Sequence, residues 1–242
     1  MIKSDLSLPV FSENDMADAF QVLASSKKGL PGIGRFWRVF REVASCHGRP
    51  DFVCLKRNSS SEHFPFSSKL GLVGASVMAS LNGSAGQTLS TIQQKTGYAI
   101  SSIKTALSQL VIDGFVKKIK NDKFRVVSPM FFGKLETIAF ELKLKNVKRA
   151  LFQAQQYRCF ADKVFIVVPP QLVGKFEKHK EVMSLWKIGL ASYDPLNNKF
   201  CVVIKSQNKK PKTKHQAIYT IMNAISSTTP NDSMAINPTI MV

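Results

Sequence analysis

The alternation of residues 137–144, Thr-Ile-Ala-Phe-Glu-Leu-Lys-Leu, constrains this chain most. Successive strand side chains point to opposite faces, so Ile138, Phe140, Leu142 and Leu144 share one side. Ala139, Glu141 and Lys143 share the other. That period predicts a strand that seats one face in a core and sets a carboxylate beside an ammonium on the other. The same residues also fit a solvated sheet face, or a long helix over 134–160 with a charged flank. Residues 147–160 read as helix. Residues 163–168, Lys-Val-Phe-Ile-Val-Val before Pro169-Pro170, form the short apolar run of a buried strand.

Upstream, residues 12–27 predict an opening helix, capped by Ser12 or Asn14 and acidic in its first turn. Gly29, Pro31, Gly32 and Gly34 interrupt the chain. Residues 35–45 mix aromatic and β-branched side chains with arginine and predict a strand. The Gly48-Arg49-Pro50 turn leads to a second strand over Asp51–Leu55, followed by a polar linker, 56–64. Residues 65–128 differ in character. Helices are expected at about 67–81, 89–96 and 100–113, with Ile103, Leu107 and Leu110 on one apolar face. A hairpin over 115–119 and 124–127 turns at Lys120-Asn121-Asp122-Lys123. Three helices and a hairpin make a winged helix-turn-helix. Further strands are expected at 187–193 and 199–205. Lys205–Lys214 holds five lysines and no acid. The Ser/Thr/Pro/Asn-rich stretch from 226 reads as a frayed tail. The domain reading is therefore 1–60 and 134–225 as two parts of one core, 65–128 as an inserted module, and 226–242 as a tail.

Of the sixteen acidic residues, Asp51 alone follows a proline and Glu141 alone has a lysine two positions later. If Asp51 opens a strand beside 137–144, two carboxylates and Lys143 converge. Hard oxygen ligands of that kind suit Mg²⁺ or Mn²⁺. The order helix, strand, Pro-Asp strand, Glu-x-Lys strand, helix, buried strand resembles the restriction-endonuclease-like superfamily, the PD-(D/E)xK nucleases, over roughly 12–60 and 134–205. The resemblance implies an α/β (α+β) fold, a mixed sheet flanked by helices and here interrupted by the winged module. It implies a metal-dependent DNA endonuclease with Asp51 and Glu141 as metal ligands and Lys143 as the catalytic lysine. Gln153 and Tyr157 match the Gln-x-x-x-Tyr pattern of exonuclease-related branches, on one helical face where both would touch the DNA backbone. Many members carry an acid on the first helix: Glu13 is the candidate metal ligand, with Asp18 behind it. The departure is the long interval between Asp51 and Glu141, and Glu136 is the alternative acid to Asp51.

Residues 87–127 resemble winged-helix transcription-factor domains, with Leu110-Val-Ile-Asp-Gly-Phe-Val116 leading from recognition helix to wing. That likeness turns Ser101, Ser102, Lys104, Thr105 and Ser108 to the major groove, and puts Lys117, Lys118, Lys120 and Lys123 on phosphate or minor groove. The formal net charge of +18 and pI of about 9.9 favour a polyanionic partner, DNA before RNA. Cys46, Cys54, Cys159 and Cys201 lack CxxC spacing and the four histidines form no ligand pair, so neither a zinc site nor a disulfide framework is expected. No signal core and no span-length apolar run occur, which predicts a cytoplasmic protein without membrane contact. A homodimer or an assembly with other proteins stays open. So does a second function: a non-catalytic DNA-binding regulator of transcription or replication on a degenerate nuclease fold.

Overall fold

The computed structural model describes residues 12–57, 70–81, 85–127, 135–208, 210–211 and 213–227. Helix α1, Glu13–Ala24, starts at a reciprocal cap: the Ser12 hydroxyl accepts from the Asp15 N–H, and the Asp15 carboxylate accepts from Ser12. A glycine-broken loop follows. At Gly29, φ is +66° and an added Cβ would lie 2.3 Å from the Gly34 carbonyl oxygen, so only glycine fits. Strands β1, Arg38–Arg41, and β2, Phe52–Arg57, form the first hairpin.

Helices α2, Leu72–Ser80, α3, Leu89–Thr96, and α4, Ile100–Ile112, come next, then strands β3, Val116–Ile119, and β4, Lys123–Val126. Their own core holds Ile92, Ile103, Leu107, Leu110, Phe115 and Val116. The chain then returns as β5, Leu135–Leu142, α5, Val147–Tyr157, and β6, Lys163–Val168. A single 3-10 turn, Pro170–Leu172, leads to α6, Val173–Glu177, and α7, Lys180–Trp186. Strands β7, Ile188–Asp194, and β8, Lys199–Ile204, close the sheet, and α8, Lys214–Ser226, ends the described chain.

The six-stranded sheet runs β1-β2-β5-β6-β7-β8. The β1/β2, β2/β5 and β7/β8 pairs are antiparallel; β5/β6 and β6/β7 are parallel. It is a mixed α/β sheet with apolar layers on both faces. On one face Phe20 of α1 packs among Phe52 and Phe140, with ring centroids 5.0 and 5.2 Å away. On the other, α5 and the later helices cover Val53, Ala139, Val164 and Ile166. The alternation of β5 decides the assignment: Ile138, Phe140 and Leu142 join the α1 side, while Ala139 joins the α5 side.

The insertion enters where β2 meets β5. Arg57 and Leu135 are register partners, so 58–134 leaves and rejoins the sheet at neighbouring positions. Lys56 and Arg57, expected in the linker, instead belong to β2; 58–64 lies outside the described residues. The tail beyond 227 lies outside them too.

Helices α6, α7 and α8 were not legible. The first two are short and charge-rich, and α8 begins inside the lysine run. Yet α8 joins the two cores. Its Ile221 and Ala224 lie in the layer against the sheet, whereas Ile218 and Met222 lie in the core of the inserted module. Truncating Met222, fully buried, should therefore destabilise the fold by about 2–5 kcal/mol. Leu185→Ala, at a position 77% exposed, should change it by less than about 0.5 kcal/mol. Urea denaturation of both variants checks this; equal midpoints would contradict the bridging role of α8.

Candidate active site

Phe52 pairs with Phe140 in the antiparallel β2/β5 ladder, so the next position outward sets Asp51 opposite Glu141. Opposed residues share a sheet face, here the α5 side. Asp51 is fixed there by the backbone: its Oδ2 accepts from the Leu142 N–H at 2.6 Å. The Lys143 N–H continues the β5/β6 ladder onto the Val167 carbonyl at 2.9 Å, which keeps Lys143 two strand positions beyond Glu141. Its Nζ lies 3.0 Å from Glu141 Oε1 and 3.5 Å from Glu13 Oε2. Glu13 Oε1 in turn accepts from the Leu144 N–H at 3.2 Å. From α5, the Tyr157 hydroxyl donates to Glu141 Oε2 at 2.8 Å and stands 3.2 Å from the Arg49 carbonyl.

Glu141 is 1% exposed. Burial, reinforced by the negative charge of Asp51, raises its pKa from an ordinary 4.5 to about 7; Lys143 and the Tyr157 hydroxyl partly offset this. Burial also raises Asp51, against the pull of the Leu142 N–H and Lys143. Burial disfavours the Lys143 ammonium, but Glu141, Asp51 and Glu13 outweigh it and hold Lys143 above its usual range. Tyr157 is pushed well up by burial and by Glu141, so it remains a donor.

The two raised carboxylates are the groups that could hold a divalent cation. Mg²⁺ is commonly held by one or two carboxylates, with waters and substrate phosphate completing its shell. Among the described residues no three or more His, Cys, Asp or Glu side chains group to hold a metal unaided. Glu13 meets the site through Lys143 and the Leu144 N–H rather than as a third grouped acid.

Other predicted residues fall elsewhere. Asp18 forms an ion pair with Arg41 on the surface. Glu136 pairs with Lys163 at 2.6 Å, toward the opposite end of β5 from Asp51, and so does not replace it. Tyr157 is fully buried on Glu141 and presents nothing to a DNA backbone. Gln153 is half-buried; its Oε1 has no hydrogen-bond partner. Lys143 is not an exposed-face lysine, because its side chain is 13% exposed between two carboxylates. Ser101, Ser102, Lys104, Thr105 and Ser108 all lie exposed on α4, and Lys117, Lys118, Lys120 and Lys123 are exposed on the hairpin. Lys118 is paired with Asp122 at 2.6 Å. The sequence reading missed Glu42, whose charge acts on Asp51 and whose N–H donates to the Asp51 carbonyl at 3.0 Å. It had no spacing signal, as it reaches the site across the tip of the β1–β2 hairpin. No family model, curated protein or solved structure matches the chain.

Two outcomes follow for metal-free protein. Between pH 4.5 and about 7 the folded state holds a proton on Glu141 that the unfolded chain has released. Stability from this group is thus greatest below the unfolded pKa and falls as pH rises toward the folded one. Glu141→Gln should flatten that slope in denaturation measured across this range; an unchanged slope would contradict the raised pKa. Tyr157→Phe leaves Glu141 Oε2 short of its donor, costing about 1–3 kcal/mol. It should also shift the Glu141 titration upward, read by carboxyl-carbon NMR.

Proposed function

We propose that this chain is a metal-dependent DNA nuclease of the PD-(D/E)xK type, with a winged helix inserted to place it on DNA. The single observation that carries this reading is Asp51 opposite a buried Glu141 whose pKa is raised, with the Lys143 ammonium 3.0 Å from that carboxylate. A buried carboxylate facing a half-buried one, with a single lysine bonded to the first, is poorly balanced alone and improves when a cation arrives. The element order supports the restriction-endonuclease-like fold: α1, the β1–β2–β5 antiparallel strands, α5, then β6 parallel to β5.

Asp51 and Glu141 would hold the Mg²⁺ or Mn²⁺, which when bound supplies charge neutralisation at the phosphodiester and acidifies a water. Glu141 releases its proton near neutral pH, so it is ready to ligate there. The Leu142 N–H and the Tyr157 hydroxyl fix the two carboxylates, sparing reorganisation during reaction. Lys143 donates to negative charge developing on the phosphate or orients the attacking water. Glu13 holds that ammonium forward. In the inserted module, the exposed α4 residues suit base edges and the hairpin lysines suit phosphates.

A second reading is a non-catalytic DNA-binding regulator. It is favoured by both Glu141 oxygens already having donors, Lys143 and Tyr157.

Plasmid incubated with Mg²⁺ or Mn²⁺ should be cut, and both Lys143→Ala and Glu141→Ala should lower cutting about a hundredfold or more. Cutting unchanged in the variants would contradict the site, and no cutting under any condition would favour the regulator. With chelator present, Lys104→Ala and Lys118→Ala should weaken binding and reduce its salt slope by about one each. Cutting at saturating protein should survive both changes.

A further inference from the structure

Phe152 stands on α5 with 58% of its surface exposed. It sits one turn beyond Lys148 and Arg149, both exposed, and the exposed Lys145 precedes the helix. An exposed aromatic ring is ordinary when isolated. This one is placed in a basic setting and on a particular helix. At about 100° per residue, Phe152, Arg149, Gln153 and Tyr157 follow one another around α5. That arc runs from solvent to the Tyr157 hydroxyl on Glu141. Phe152 and Tyr157 are separated by about 7.5 Å along the helix axis. They also stand about 140° apart around it, so a strand on Phe152 would reach the site across the width of α5.

We infer that the exposed face of α5 is a stacking platform for an unpaired DNA strand, with Phe152 under a base and Lys148 and Arg149 on its phosphates. The inference rests on the nuclease reading and names its substrate class: DNA with a single-stranded segment beside the cut. Charge complementarity selects the occupant, since cations on either side of the ring suit a polyanion and disfavour an apolar protein surface. The ring selects the strand state. In a duplex the base faces are already stacked, and phosphates alone gain nothing from an aromatic side chain. An unpaired base offers a free π-face. Gln153 lies on the arc between platform and site, where its side chain hydrogen-bonds Tyr157.

Fluorescence anisotropy in chelator tests this without cleavage. The probes are a blunt duplex, the same duplex with a single-stranded tail of about ten nucleotides, and one whose tail is abasic. Wild-type protein should bind the base-bearing tail about tenfold tighter than the blunt duplex. Phe152→Ala should remove that gain and leave blunt-duplex binding unchanged, while Phe152→Trp should keep it. A 2-aminopurine in the tail should be quenched by the wild type and not by Phe152→Ala. Melting of the variants should match wild type, since the side chain is exposed. The platform is overturned by equal binding of tailed and blunt duplexes, by an abasic tail binding as well as a base-bearing one, or by Phe152→Ala weakening both probes alike. An RNA tail preferred over DNA overturns the substrate class. Loss of metal-dependent cutting with this binding pattern intact would remove the nuclease reading alone.

Discussion

Burying Glu141 opposite Asp51 is the constraint on which the rest of the site depends. A lone ionised carboxylate at 1% exposure would be driven to its neutral form, and a second carboxylate across the strand pair strengthens that drive. The surrounding residues answer it. Lys143 brings a positive charge, Tyr157 a hydroxyl, and the Leu142 N–H fixes the facing acid. Glu13 completes the chain of contacts by engaging Lys143 from the first helix. The result is a carboxylate poised near neutrality rather than locked in either form. Ion pairs of this kind contribute little to net stability, so folding alone does not account for the cluster.

The sheet explains how such a site tolerates a foreign module in its midst. Asp51 and Glu141 meet at one end of the β2/β5 ladder, whereas the insertion leaves from Arg57 and Leu135 at the other. The ladder therefore separates the two carboxylates from the insertion by the full length of β2. Helix α8 then ties the module back, with alternate faces in the two cores. Part of that seam is polar: Gln216, Thr220 and Asn223 on α8 each carry a buried oxygen without a partner. Asn223 donates to the Ala44 carbonyl at 3.4 Å, beside the hairpin that leads to Asp51.

How far the sequence shows this follows from the range of its signals. The alternation of 137–144 and the apolar run of 163–168 are local and strong; β6 falls where expected, while β5 starts and ends two residues earlier and leaves Lys143 and Leu144 just beyond it. The helix pattern with Ile103, Leu107 and Leu110 places α4 within one residue. Asp51 and Glu141 were legible from their neighbours, a proline and a lysine. That the two face each other was not, since only the strand register joins them. Helical spacing sets the angle between Gln153 and Tyr157 but not which side of the helix is covered, so the burial of Tyr157 on Glu141 carries no sequence signal. Glu42 and α8 carried no periodic signal at all; tertiary packing decides both.

The most direct measurement is a crystal soaked in Mn²⁺ and recorded at the manganese absorption edge. The account predicts an anomalous peak between the Asp51 and Glu141 carboxylates, with the Lys143 ammonium alongside. Manganese absent from that position at saturating concentration, with Lys143 still bound to Glu141, would contradict it.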